Sequence, residues 1–213
     1  MVLRAAERGI PPGDASAALV KGTMTPASVN VPVGSRFSCG LLNYIVTEKI
    51  KAGEYQLQCE TSGSEANGNI GQLIPINYIS GLETAQITEL LVPGEDEEGL
   101  ESIRKRYLAS FDAEAFGGNK ADYIQKCDAI QGVGPVRVTP AWNGGGTVKL
   151  TILDSEYHAA SSTLLEKVQK TFDPNGDGMG DGLAPIGHVV TVETAEAVEV
   201  QVAAILSFKK GYD

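Results

Sequence analysis

The chain has 213 residues, 42% of them hydrophobic, with 27 acidic against 17 basic side chains and a formal charge of −10. That length and apolar content suit one large or two small packed domains and exclude a mainly disordered chain. The negative balance repels phosphate backbones and anionic lipid. The one basic run, Arg104 to Arg106, follows the acids Glu95 to Glu98 and would splay around a helix, so nucleic acid is excluded as the expected partner.

No apolar run approaches the roughly 20 residues of a membrane-spanning helix. Arg4, Glu7 and Arg8 interrupt any signal-peptide core, so the chain reads as made and folded in the cytoplasm, with no membrane partner. Cys39, Cys59 and Cys127 are odd in number and set in apolar or strand-like patterns, which favours reduced, buried thiols over the alternative of a Cys39–Cys59 disulfide.

In chain order, Met1 to Ile10 is a short helical pattern stopped by Pro11, Pro12 and Gly13. Residues 1–17 therefore read as a helical segment and linker, loose at its start. Residues 18–92 change to a period of two with frequent turn residues and predict an all-β domain, a small sandwich or barrel in which Tyr44 and Val46, then Tyr55, Leu57 and Cys59, face inward. Within it Ser62 to Gly71 is polar and glycine-rich and reads as an exposed connecting loop. Val92 to Glu98 (VPGEDEE) combines proline, glycine and charge, and is the expected domain junction.

Residues 93–195 predict a small α+β domain. Its first helix runs to about Ala113, with acids near its start, Arg104 to Arg106 later, and an apolar stripe of Leu100, Ile103, Tyr107, Leu108 and Phe111. A second helix is capped by Asn119, carries Tyr123, Ile124, Cys127 and Ile130 on one face, and stops at Gly132. A hairpin follows, with Val136 and Val138 on one strand, Val148, Leu150 and Ile152 on the other, and the turn at Asn143 to Gly146. Ser161 or Ser162 caps a third helix bearing Leu164, Leu165, Val168 and Phe172, which ends before Pro174, and Val190 and Val192 mark a further strand. The order helix, strand, strand, helix, strand suggests helices covering one face of an antiparallel sheet. Residues 196–213 hold a last alternating run, Val198 to Leu206, read as a strand that begins a further domain and leaves an open edge.

Several groups were weighed as chemistry. Asp173, Asn175, Asp177 and Gly178 fit the first half of a calcium-binding loop, with Asp181 as a further oxygen donor. Pro174 intrudes, the twelfth position is Ala184 where a bidentate Glu is required, and no second helix follows, which favours a plain Asn/Asp/Gly loop, no resident metal and no cofactor. Asp154 and Glu156 lie past a strand end, where a carboxylate pair could act in glycoside hydrolysis only if set in a cleft. His158 and His188 lack neighbours at metal-ligand spacing, and no zinc, nucleophile-elbow, dinucleotide or P-loop motif is present. Trp142 reads as packing on the sheet or at an interface. No residue is assigned a catalytic role, and the chain is read as no enzyme.

The motifs FGGNKADYI, GVGPVRV, WNGGGTVK and DPNGDGMGDGLAPIG, in this order and preceded by LRAAERG, VPVGSRF and DEEGLESIRKRY, resemble the baseplate J-like family of contractile phage tails and prophage-derived particles. The resemblance spans nearly the whole chain. It implies a structural wedge-type building block of the tail baseplate, assembled in the bacterial cytoplasm, with other baseplate, hub and sheath-proximal proteins as partners. Family segments beyond both ends are absent from this sequence, which implies a monomer or weak dimer in isolation. The alternative is a carbohydrate-binding or wall-degrading tail module.

Overall fold

The computed structural model describes residues 2–112 and 116–196, together with 198, 201 and 203. Among these are four helices and nine strands in two sheets, a mixed α+β architecture. Of the last alternating run, residues 199, 200, 202 and 204–213 lie outside the described residues, as does Ala113.

The first sheet has six strands in the order β5-β2-β3-β4-β1-β6, formed by β1 (Ala17–Thr25), β2 (Arg36–Cys39), β3 (Leu42–Lys51), β4 (Glu54–Ser62), β5 (Ile74–Pro75) and β6 (Thr84–Val92). All its ladders are antiparallel. The alternation in the sequence is the alternation in space. Ala18, Val20, Gly22 and Met24 of β1 point inward, as do Tyr44 and Val46 of β3 and Tyr55, Leu57 and Cys59 of β4.

The residues entering β5 close the sheet on itself. Leu73 N donates to Ala85 O at 2.8 Å and Ile87 N to Gly71 O at 2.8 Å, so the first and last strands of the order meet and the sheet is barrel-like. Its interior is filled by Phe37, Tyr44, Tyr55, Leu57, Leu73 and Ile87, with Met24 at one end. The Tyr55 hydroxyl, buried with its ring, donates to Val29 O at 2.9 Å and accepts from Val31 N at 3.2 Å, which ties down the loop between β1 and β2. Cys39, Cys59 and Cys127 are buried and free.

The second sheet orders β7 (Val133–Pro140), β8 (Thr147–Asp154) and β9 (Val189–Thr194) side by side. β7 and β8 form the expected hairpin, but β9 joins β8 in parallel, so this sheet is mixed where the sequence suggested a purely antiparallel one. The reason is the connection: α4 (Ser162–Phe172) carries the chain back over the sheet before β9 starts, and a helical crossover delivers a parallel strand. Asn119 caps α3 (Lys120–Asp128) by accepting from Asp122 N at 2.8 Å, and Ser161 caps α4 by accepting from Leu164 N at 3.2 Å.

Both helices lie on one face of the sheet. Tyr123 and Cys127 of α3 and Leu164, Val168 and Phe172 of α4 bury against Val148, Leu150, Ile152 and Val190. Tyr123 and Phe172 stack, with ring centroids 5.5 Å apart. The other face is polar, and Lys149 there pairs with Glu193 at 2.8 Å.

The remaining helices form a third, small cluster. α1 (Val2–Glu7) packs Ala5 against Ile103 of α2 (Leu100–Asp112), with Ile10 and Tyr107 beside them, so the N-terminal segment is docked where a loose one was expected. Arg106 reinforces this by donating to Pro11 O at 3.0 Å. Only part of the predicted stripe on α2 is covered, because Leu100, Leu108 and Phe111 are each more than half exposed.

Gly134, in the bulged start of β7, has the backbone of Asp154 against it: a Cβ built there would lie 2.1 Å from Asp154 O. Gly134→Ala is expected to lower stability by about 1–3 kcal/mol in chemical denaturation, since neither backbone can yield without shifting the hairpin. Gly145→Ala, in open space at the hairpin turn, should stay within about 0.5 kcal/mol of the parent.

Candidate functional site

The barrel and the second sheet meet along a hydrogen-bonded seam. It is built by the two stretches VPGEDEE and QGVG. Gln131 donates to Ala17 O at 2.9 Å, Gly132 N donates to Glu95 Oε1 at 3.1 Å, and Lys167 of α4 donates to Gln131 O at 3.1 Å. Burial pulls the Lys167 ammonium below its ordinary value, and the nearby Glu95 carboxylate opposes that pull. Gly132 adopts φ +85°, and a Cβ on it would meet Val92 Cγ1 at 2.5 Å, so the turn sits directly on the end of β6. Ser161, the cap of α4, donates its hydroxyl to Leu91 O on the same strand.

The loop read from the sequence as exposed closes this seam from the other side. Asn67 embraces the peptide groups of buried Gly94, accepting from its N at 2.7 Å and donating to its O at 2.9 Å, and also donates to Glu156 Oε1 at 2.7 Å. Asp96 accepts from Ser64 N and from the Ser64 hydroxyl, both at 2.8 Å, and these two donors hold its carboxyl below the usual carboxylate range. Glu98 accepts from Gly13 N, from the Ser102 hydroxyl and from Arg106. Glu95, Asp96 and Glu98 thus precede α2 and act as specific crosslinks, where the sequence suggested charges solvated at a helix start. Asn67 was missed because nothing in a glycine-rich polar loop marks which amide faces a distant backbone.

The residues considered for chemistry are placed apart. Asp154 and Glu156 form no paired acid site: Asp154 Oδ1 accepts from Glu156 N at 2.9 Å and from His158 N at 2.8 Å, shaping the turn after β8, while Glu156 reaches Asn67. Asp173 is only 3% exposed, and its carboxylate accepts from Asp177 N, Gly178 N and Val190 N at 3.1–3.4 Å. Asn175 donates to Asp181 Oδ2 at 3.1 Å, and Asp177 accepts from Met179 N at 3.1 Å. A cation would need oxygens that here accept from N–H groups. Among the described residues no three His, Cys, Asp or Glu side chains gather at metal-binding distance.

His188 shares a 2.9 Å hydrogen bond with the Tyr123 hydroxyl, whose pKa is pushed up to about 12, chiefly by burial. The two border a shallow cleft of about 320 Å³ lined also by Gly118, Val138, Ala141 and Gly146. Trp142, at the hairpin tip, is 42% exposed with Lys149 Nζ 4.9 Å from its ring centre, on the polar side of the sheet and outside the core. A larger groove, about 950 Å³, separates the α1–α2 pair from α3 and is bordered by Ile10, Arg106, Ile124 and Asp128.

Residues 115–194 match the model of the baseplate J-like central domain. The second half of this chain is thus similar to a baseplate J-like central domain. Over 203 residues, 94% of the chain, it is 41% identical to phage-like element PBSX protein XkdT of Bacillus subtilis (strain 168), and over an equal length 42% identical to the uncharacterized protein YqbT of the same organism. Baseplate protein gp47 of Escherichia phage Mu is 26% identical over 139 residues, covering 61% of this chain and 38% of that protein. The chain spans 56% of the length of each Bacillus relative. The matched residues comprise α3, the β7–β8 hairpin, α4 and β9, and the QGVG turn lies among them, pressed on the barrel.

Two measurements test this geometry. Asn67→Ala leaves both peptide groups of Gly94 without their partners, and urea denaturation should show a loss of about 1–3 kcal/mol. Calorimetric titration with calcium is expected to give no heat and no rise in Tm, because the Asp173 carboxylate is already bonded by three backbone N–H groups.

Proposed function

We propose that this chain is a structural component of the baseplate of a contractile phage tail or a prophage-derived particle, a wedge-type block that works by contact with neighbouring subunits and performs no bond chemistry. The observation that carries this reading is the 41% identity with PBSX protein XkdT along 94% of the chain, joined to the central-domain match and the likeness to a Mu baseplate protein. The geometry supports it. Asp154, Glu156 and Asp173, the acids best placed by sequence for catalysis or metal binding, hold the chain's own turns and seam. Apolar side chains meanwhile stand out at the surface, on α2 (Leu100, Leu108, Phe111) and after β5 (Ile76, Tyr78).

On this reading the partners are other baseplate, hub and sheath-proximal proteins, the site of action is the virion tail, and assembly takes place in the host cytoplasm. Contacts are exchanged as the baseplate changes state. The welded seam lets the barrel and the central domain move as one lever.

The test is to produce the tagged chain in cells making tail particles, purify the particles, and identify what co-purifies by mass spectrometry at low and high salt. Recovery of the chain in the baseplate fraction, with other baseplate or hub proteins retained on it, is expected. A folded chain that is absent from purified particles and retains no tail protein would overturn the proposal.

A further inference from the structure

Among the described residues the sheet β7-β8-β9 has two lateral edges whose backbone groups another extended chain could pair with. At β7 the edge is broken by Pro135 and Pro140 and by the irregular register between Val133 and Val136. β9 has neither device. Its sequence, VVTVET, is rich in β-branched residues and would pair readily.

In the ladder with β8, the N–H of Val189 donates to Gly146 O at 2.8 Å, so the N–H and C=O groups of both Val190 and Val192 point away from β8. Side chains occupy three of these four. Val190 N donates to Asp173 Oδ2 at 3.1 Å, Gln169 Nε2 donates to Val190 O at 3.0 Å, and Val192 N donates to Gln169 Oε1 at 3.1 Å.

The pattern around Gln169 is that of a strand. In a parallel ladder one residue donates its N–H to a carbonyl on the neighbour and accepts from the N–H two residues further on. The Gln169 carboxamide does both, to Val190 and Val192, which flank Thr191. Its second N–H donates to Asp173 O at 2.9 Å, so the amide has one workable orientation and no donor left over. Asp173 caps the C-terminal end of α4 four residues after Gln169, and both side chains reach the same edge.

We propose that Gln169 stands in for one residue of a parallel neighbour strand and, with Asp173, closes the β9 edge against pairing with a second copy of this chain. The device is independent of the baseplate reading, since it rests only on the geometry of α4 and β9. Its consequence is a subunit that meets neighbours through side-chain surfaces while its most adhesive strand stays covered.

Gln169→Leu keeps the side chain's bulk and removes its hydrogen bonds. Exchange of the Val192 amide with deuterium, followed by NMR, should be slow in the parent and about tenfold faster in the variant, the equivalent of one net hydrogen bond. Sedimentation velocity should show the variant associating as concentration rises while the parent keeps its state. A folded Gln169→Leu with the parent's association behaviour and the parent's Val192 exchange would overturn the proposal. If the variant does not fold, the parent alone decides: a Val192 amide exchanging there as fast as an open, unbonded one would overturn it equally, and a protected one would support it.

Discussion

The turn from Gln131 to Gly134 lies tight against both the end of β6 and the end of β8, and the rest of the molecule is arranged around that approach. At Gly132 the turn rests on Val92 at the end of β6, and at Gly134 it lies on the carbonyl of Asp154 at the end of β8. The turn has no room for a side chain of its own at either point, because Val92 Cγ1 fills the space at Gly132 and the Asp154 backbone fills it at Gly134, and its buried N–H and C=O groups must find partners. Glu95, Gln131 and Lys167 supply those partners across the seam, and each comes from a different segment. Two cores that could have been independent are thereby held in one orientation, with Leu19 and Val92 of the barrel strands packed into the central-domain core.

Hydrogen-bond demand explains most of the polar residues that look functional in the sequence. Asp96, Glu98, Asp154 and Asp173 each accept from at least one backbone N–H, and at buried Asp173 leaving such an N–H unmet would cost about 1–3 kcal/mol. Acids suit this task because a carboxylate accepts from several directions and strengthens each bond by its charge. The same chemistry serves the edge of β9, where the Gln169 amide and the Asp173 carboxylate occupy backbone groups that a neighbouring strand would use.

Much of the fold was legible in the residues. The period of two in β1, β3 and β4, the caps Asn119 and Ser161, the hairpin around Asn143 to Gly146 and the apolar face of α4 all appear where the pattern placed them, because each depends on neighbours within a turn or two. The parallel pairing of β9 was not legible, since it depends on where α4 returns the chain. Nor was the partial burial of α2: its stripe is continuous in sequence, yet α1 is only long enough to cover Ile103 and Tyr107. The seam was legible in its outline, as a proline, glycine and acid-rich junction, and opaque in its contacts.

The sequence by itself determined the mixed α+β class, the inward faces of strands and helices, the acidic surface and the resemblance to baseplate proteins, because periodicity, charge and motif order are local or summed properties. Only the tertiary structure decided that Asn67 clasps Gly94, that Glu95 reaches Gly132, and that Gln169 and Asp173 cover β9. Those residues act across separations of 17 to 37 positions, where the partner of a polar side chain is set by how layers pack and leaves no mark on the residues beside it.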